Sequence, residues 1–549
     1  MKASDLLVQC LETEGVEYIF GLPGEENADV MMSLRESSIR FILCRHEQTA
    51  SFMADAYGRL TGKAGVCLGT LGPGATNLVT GVANGNMDRS PMVVITGQAD
   101  THRQHKESHQ HMDVVDMFRP ITKWAAGVDH PDNIPEMVRK AFKLAELEKP
   151  GACLIELPED LAKASSEKLP VKPRPMRRPG ADHKALAAAM DLIRSAKAPV
   201  ILAGNGAIRK RASKQLGIFA QRSGLAVINT FMGKGAVCRD DPHCLFTMGL
   251  QSRDHVSCVM DEADLVIAVG YDLVEYHPRL WNHGNEKQVL HVDFLPAEVD
   301  ENYRVAVELV GDIANSLWSL NDELGEGKPP LFDIGRHGHV RETILADLSE
   351  HKDDDTDGSI KPQKALWDCR QVLGPSDILL SDVGAHKMWI ARQYHCDEPN
   401  TCLIPNGFCS MGFALPGAMA AKLIYPDRRV LAVCGDAGAL MNIQDFETAV
   451  RYGINLVCLI WEDREYGLIA WKQQAQFGAH TDLSFSNPDF VKLAEAFGGW
   501  GRRVTGSRDL QPALEEAFDV GRPAIVTMDV DYSENMKLTE RLGELTCTI

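Results

Sequence analysis

Residues 429 to 467, reading RVLAVCGDAGALMNIQDFETAVRYGINLVCLIWEDREYG, admit few folds. An apolar run from Val430 to Cys434 stops at Gly435-Asp436-Ala437-Gly438, an amphipathic segment follows, and a second apolar run from Leu456 to Trp461 stops at Glu462-Asp463. Short apolar runs bounded by turn residues and separated by a helical pattern predict a βαβ unit with parallel strands. Neighbouring parallel strands end side by side, so Asp436 and Asp463 are expected to converge although 27 positions separate them. Two hard carboxylate oxygens beside backbone N–H groups at a helix start suit a magnesium ion carrying a diphosphate. Two turn aspartates in an ordinary α/β domain would leave the same trace, although strand ends are where open α/β sheets usually carry their sites.

The same alternation of strand and helix runs through the whole chain. The expected fold class is therefore α/β, with three doubly wound parallel-sheet domains. Strands are expected at Tyr18 to Phe20, Ile39 to Cys44, Gly65 to Gly69, Met92 to Thr96 and Cys153 to Leu157 in the first segment. The second carries Val200 to Ala203, Ala226 to Asn229, Leu265 to Val269 and Val289 to Val292, and the third Ile378 to Ser381, Val430 to Cys434, Leu456 to Ile460 and Ile525 to Met528. The stretch KLPVKPRPMRRP from Lys168 to Pro179 cannot hold a helix and reads as an extended linker. Gly325 to Pro330 and the acidic run His351 to Ser359 read as a second, loosely packed one. These linkers set the expected domains at 1–167, 183–330 and 360–549.

A hydrophobic fraction of 44% over 549 residues is ample for several cores. The net charge of -19 argues against a nucleic-acid partner or an anionic membrane surface, either of which needs a basic face. The opening MKASDLLVQCLETEG is an amphipathic helix rather than a signal peptide, and no uninterrupted apolar stretch nears the ~18 residues that spanning a membrane requires. The 14 cysteines are scattered with no CxxC pair, as expected of reduced, buried thiols in a cytoplasmic protein. His102, His105, His109 and His111 do not put four ligands on one face and read as a solvated loop. Ala203-Gly-Asn-Gly206 reads as a structural turn.

Several further residues stand where chemistry could sit. Glu47 ends Phe41-Ile-Leu-Cys-Arg-His-Glu and precedes a helix expected over Gln48 to Tyr57, a place where the helix dipole alone favours a glutamate. The stretch TLGPGATNLVTG from Thr70 to Gly81 is a glycine-rich strand-to-helix turn, either a phosphate loop or a tight connection. Ser381-Asp-Val-Gly384-Ala385-His386 follows a strand, so its backbone N–H groups and His386 can meet a diphosphate. Asn406 to Gly417, NGFCSMGFALPG, carries Cys409 and Met411. The methionine could be ordinary core filler, and the sequence places no base near Cys409 that would make it a catalytic thiol.

Taken in this order the motifs resemble those of the thiamine-diphosphate enzymes, along nearly the whole chain. That family's Gly-Asp-Gly and Asn-Asn signature corresponds here to Gly435-Asp436-Ala437 and Glu462-Asp463, a departure at three positions. TLGPGATNLVTG and PMVVITGQ resemble the acetohydroxyacid synthase branch, while GYDLVEYHPRLWN (270 to 282) and Ile460-Trp-Glu-Asp463 look like its catabolic acetolactate synthases. The flavin-containing relatives carry an Arg-Phe-Asp-Asp-Arg run that is absent here, and a tryptophan at the position of Lys472. FAD is therefore not expected, and pyruvate is the expected acceptor.

The resemblance implies a pyrimidine-binding, a central and a diphosphate-binding domain, with thiamine diphosphate and Mg2+ as cofactors. Asp436, Asp463 and the backbone carbonyl of Glu465 would hold the metal. Gly384, Ala385, His386, Gly435, Ala437, Gly438 and Tyr466 would surround the cofactor. Met411 would wedge its rings into a bent shape, and the carbonyl of Cys409 would accept from its pyrimidine amino group. Glu47 would share a proton with the pyrimidine ring, helped by an apolar pocket that raises its proton affinity. Gln110, with His109 a weaker candidate, would orient the substrate's oxygens. The implied reaction decarboxylates one pyruvate and condenses it with a second, giving 2-acetolactate and CO2. Another 2-keto acid or aldehyde carboligase, a lyase, a decarboxylase, an oxidase or a non-catalytic relative would be built from similar motifs. Glu462 is expected to add charge beside the diphosphate and so tighten the demand for the cation. Glu47 of one subunit is expected to meet Asp436 of another, making a homodimer the minimum unit and a homotetramer the expected one.

Overall fold

The structure, a computed structural model, describes residues 1–175, 178–209, 211–249, 255–535 and 538. The end of the third expected domain and two residues of the first linker, 176 and 177, lie outside the described residues. Three six-stranded parallel sheets with flanking helices make up the fold. The first contains β1 (Tyr18–Gly21), β2 (Arg40–Leu43), β3 (Gly65–Gly69), β4 (Met92–Gln98), β5 (Trp124–Gly127) and β6 (Ala152–Pro158). The second contains β7 (Pro199–Ala203), β8 (Val227–Asn229), β9 (Cys244–Thr247), β10 (Leu265–Val269), β11 (Gln288–Asp293) and β12 (Val305–Val310). The third contains β13 (Ile378–Ser381), β14 (Cys402–Leu403), β15 (Val430–Gly435), β16 (Val457–Glu462), β17 (Trp500–Val504) and β18 (Ala524–Asp529).

The first sheet runs β2-β1-β3-β4-β6-β5 and the third β14-β13-β15-β16-β18-β17, which is the same order when each is counted from its own first strand. No sequence repeat announces this, because topology depends on which apolar runs pair and not on which residues fill them. The second sheet runs β12-β11-β10-β7-β8-β9, the order of dinucleotide-binding doubly wound sheets.

The sequence reading finds the inner strands and misses β5, β9, β12, β14 and β17, all of them at sheet edges. An inner parallel strand is covered on both faces and needs a continuous apolar run, whereas an edge strand does not. β5, β12 and β17 are mostly half-buried or exposed, and β14 is only two residues long. The acidic run is not a loose linker. Gly358 N donates to Thr505 O at 2.7 Å, Ser507 N to Thr356 O at 2.9 Å and Thr356 N to Ser507 Oγ at 2.8 Å, so backbone pairing pins it to the third domain whatever its side-chain charge. Twelve described cysteines are free, but the expectation of reduced thiols throughout is corrected at Cys258, which is disulfide-bonded and which no short spacing marks.

The first and third sheets share a core. Helix Glu47–Thr61 packs on helix Ala414–Ile424, and Phe52 meets Phe413 edge to face with centroids 5.8 Å apart and planes at 89°, worth about 1 kcal/mol beyond burial. This contact seats the segment before residue 414 against the amino-terminal domain. Among the described residues no helix is long and apolar enough to cross a membrane.

Candidate functional site

β15 and β16 lie side by side with Gly435 opposite Trp461, so the turns that follow them emerge together. Asp436 Oδ2 accepts from Arg464 N at 2.8 Å and from Asp463 N at 3.2 Å, which brings the two aspartates together as expected. Asp436 is 1% exposed, and its Oδ1 accepts from Ala437 N at 2.8 Å. Burial, and then the Asp436 charge facing it, push the Asp463 carboxyl up to about 7. Two carboxylates this close do not both ionise freely, so Asp463 holds its proton more tightly than an ordinary aspartate.

A cavity of about 100 Å3 opens beside them, lined by Gly384, Ala385, His386, Met411, Gly435, Ala437, Gly438, Glu465 and Tyr466 together with both aspartates. Of the expected cofactor and metal positions only Cys409 is missing from this lining. Burial drives His386 down to about 3, so it is a neutral imidazole at neutral pH, and its buried Nε2 has no partner among the described residues. A side chain at Gly435 would come within 3.1 Å of the His386 ring, and one at Gly438 within 3.1 Å of Asp382, so both glycines keep the floor open. Ala437 replaces a third glycine at no conformational cost, because it lies inside helix Asp436–Asn442. The carboxylate of Glu465 is drawn away to His480 at 3.1 Å. Tyr466 is 40% exposed and stands edge-on to Phe485 at 5.3 Å.

Glu462 does not behave as expected. It is 2% exposed and turns away from this cavity: Oε1 accepts from Arg503 at 2.8 Å and from the Thr527 hydroxyl, and Oε2 from Asn487 Nδ2 at 3.1 Å. Side chains alternate along a strand, so the last residue of β16 and the residue after it point to different sides. The extra carboxylate is thus paired with Arg503 and does not line the cavity. Asn487, which carries no sequence signal, links the two sides by also donating to Asp436 Oδ2 at 2.8 Å.

Asp382 is a second organiser that residue type alone hides. It is fully buried, pushed up to about 6 by burial, and accepts from Val383 N at 2.7 Å and Gly412 N at 2.8 Å. It thereby ties the end of β13 to the turn that presents Met411. Cys409, at φ 57°, is exposed. A cation that the sequence does not place there stands near it, since Lys387 Nζ lies 3.1 Å from Cys409 Sγ. The two are brought together by folding, 22 residues apart in sequence.

The remaining expected residues gather in the first domain. Glu47 opens helix Glu47–Thr61, is 7% exposed, and accepts at Oε2 from Asn77 Nδ2 at 2.9 Å. Its surroundings are therefore not purely apolar. A side chain at Gly74 would meet Glu47 Oε1 at 3.4 Å, and one at Gly72 would meet Gln110 O at 2.8 Å, so Glu47 and Gln110 flank the same glycine turn. Gln110 is exposed with φ 56°. His102 and His111 take separate partners, Asp100 at 2.9 Å and Gln98 at 3.0 Å, so the histidine stretch gathers no four-ligand site. Among the described residues none from the first domain lines the cavity under His386.

In the central domain the Ala203–Gly206 turn is occupied by the protein itself. Glu275 is buried and its carboxylate accepts from Asn205 N at 3.0 Å, Asp272 N at 3.0 Å and the Thr230 hydroxyl at 2.5 Å.

A glycine-walled cavity with two converging carboxylates and an unpartnered buried imidazole nitrogen fits a diphosphate held through a divalent cation. The family comparisons match thiamine pyrophosphate enzyme domains along the chain. Residues 1–117 match the thiamine pyrophosphate enzyme N-terminal TPP binding domain, 186–320 the central domain and 382–528 the C-terminal TPP binding domain. The chain belongs to the thiamine pyrophosphate enzymes. It is 38% identical to the catabolic acetolactate synthase of Raoultella terrigena, over 98% of this chain and 97% of that one. It is also 33% identical to the acetolactate synthase of Bacillus subtilis over 100% and 97%, and 34% identical to a probable acetolactate synthase large subunit of Methanocaldococcus jannaschii over 100% and 95%.

Proposed function

We propose that this protein is an acetolactate synthase that joins two molecules of pyruvate into 2-acetolactate with loss of one CO2. The observation that carries the reading is the meeting of Asp436 and Asp463 beneath His386, in a chain whose full-length relatives at 33% to 38% identity bear that name. Thiamine diphosphate, when bound, supplies the electron sink that lets a 2-keto acid lose CO2. Asp436, Asp463 and the Glu465 carbonyl would hold Mg2+ against the diphosphate, whose oxygens the N–H groups of Gly384, Ala385, Gly435, Ala437 and Gly438 and the His386 ring would receive. Tyr466 closes that end. Met411 would lie against the cofactor's rings, and the Cys409 carbonyl would accept from the pyrimidine amino group. Glu47 would hold and return a proton at the pyrimidine ring, and Gln110 would orient the pyruvate oxygens.

These roles divide between two surfaces, the cavity of the third domain and the Gly72–Gly74 turn of the first. That division supports completion of each site across a homodimer, with a homotetramer as the assembly. Magnesium, a cytoplasmic location and domains at 1–167, 183–330 and 360–549 complete the proposal. FAD is not part of it: in the glycine turn after β7, where a dinucleotide's pyrophosphate would sit on this strand order, Asn205 N donates to Glu275 while Gly204 N and Gly206 N donate to Val269 O and Gly270 O. The test supplies pyruvate with thiamine diphosphate and magnesium and resolves acetolactate, acetaldehyde and acetate. Acetolactate is the expected product, and acetaldehyde alone would sink the assignment.

A further inference from the structure

Beside the proposed cofactor segment lies a buried ammonium that has no carboxylate of its own among the described residues. Lys387, in helix Ala385–Gln393, is 5% exposed. Its Nζ donates to Asn406 Oδ1 at 3.0 Å and to Cys409 Sγ at 3.1 Å, and sits 5.6 Å from the centre of the Phe231 ring. The carboxylate whose charge it does feel, Asp88, is engaged elsewhere: Arg59 lies 3.3 Å from it, and the N–H groups of Asn406 and Gly407 donate to it at 3.2 and 2.7 Å. A charge removed from water is costly until an anion pairs with it. The Cys409 sulfur lies against it and itself donates to Asn406 O at 2.8 Å.

Cys409 differs from the other described free thiols. All of those are buried except the half-buried Cys238, and burial pushes Cys10 and Cys153 up to about 12. Reactive cysteines combine solvent access with a cation against the sulfur, and Cys409 has both.

We propose that Cys409 is an oxidisable modification site at the lip of the cofactor cradle, with Lys387 as its counter-cation and peroxides as the reacting class. The S–H proton passes to solvent, a sulfur lone pair forms a bond to one peroxide oxygen as the O–O bond breaks, and the departing hydroxide takes a proton from Lys387 Nζ to leave as water. The sulfur is oxidised by two electrons to a sulfenic acid, the peroxide is reduced, and Lys387 regains its proton from solvent. Two equivalents of a small thiol return the cysteine, releasing water and a disulfide. The added oxygen would sit within the segment Asn406 to Met411, so a weaker hold on the cofactor is the expected consequence; that consequence rests on the cradle proposed above, whereas the oxidation does not.

The test exposes the full chain, without added cofactor, to hydrogen peroxide and dimedone and maps the adduct by peptide mass spectrometry. Cys409 is expected to label at least ~10-fold faster than Cys238, Lys387→Met to slow it ~10-fold, and Lys387→Arg to keep most of the parent rate. Cys10 staying unlabelled shows that each variant is folded. Labelling of Cys409 no faster than Cys238, or no slower in Lys387→Met, overturns the proposal. Adding thiamine diphosphate and magnesium should slow labelling in the parent. If it does not while the Lys387 effect persists, the cradle reading fails and the thiol site stands.

Discussion

The Asn487 side-chain nitrogen lies 2.8 Å from Asp436 Oδ2 and 3.1 Å from Glu462 Oε2, so one amide holds the inward-facing carboxylate of one strand end and the outward-facing carboxylate of the next. Partners of this kind fix the direction in which a metal-binding oxygen points, and removing them typically costs 10- to 100-fold in metal affinity. For Asn487→Ala, a magnesium-dependent affinity for thiamine diphosphate weaker by on the order of 10-fold is expected in calorimetric titration, with the fold unchanged by circular dichroism. An unaltered affinity would mean that Asp436 is held by its backbone donors alone.

Adjacent acids on the same strand end should respond in opposite ways. Asp463→Asn removes one of the two converging carboxylates, and cation affinity should fall by about 10-fold or more. Glu462→Gln leaves the cavity's charge as it was but takes the anion away from Arg503 and Thr527. Its cation affinity should stay within ~3-fold of the parent, while a lost charge-assisted hydrogen bond lowers stability by about 1 to 3 kcal/mol. Paired metal titrations and thermal melts of the two variants read out both effects.

For Glu47, the glutamine variant keeps a polar side chain of the same size and removes the exchangeable proton. Turnover of pyruvate should fall by about 10²- to 10⁴-fold, with cofactor affinity much less affected. Asn77→Ala frees the carboxylate that Asn77 holds at 2.9 Å and should reduce turnover by a smaller factor. Steady-state rates at saturating cofactor separate these outcomes, and a Glu47→Gln protein as fast as the parent would refute the assigned role.

Glu275 gives a pH dependence with a definite sign. Burial and then Asp272 push its folded-state carboxyl up to about 7 from an ordinary 4.5. The folded protein therefore holds this proton more tightly than the unfolded chain does, so the stability gained is full below about 4.5 and is lost as pH rises towards 7. Glu275→Gln imitates the protonated form at every pH. Its Tm relative to the parent should rise between pH 5.5 and 8, and a difference that is flat or falling across that window would contradict the assignment.

Inner strands and the βαβ unit carrying Asp436 and Asp463 were legible because each leaves a local pattern. An apolar run ending in a turn must be covered on both faces, and adjacent parallel strands must end together. Family motifs added the roles proposed for Glu47, His386 and Met411. Edge strands such as β12 and β17 lack that pattern because their outer side has no neighbour to bury it.

What only the tertiary structure decided are the contacts between residues far apart in the chain. Asn487 reaches Asp436 across 51 positions, Arg503 reaches Glu462 across 41, and Asn77 reaches Glu47 across 30. The direction of the Glu462 carboxylate and the pairing of Lys387 with Cys409 belong to the same group. A hydrogen bond is set by the distance and angle between two atoms, and the sequence constrains those only through the packing of everything between them. Local patterning therefore fixed the strands and the turns at which this protein does its work, and the packed domains fixed which way each charged group at those turns faces.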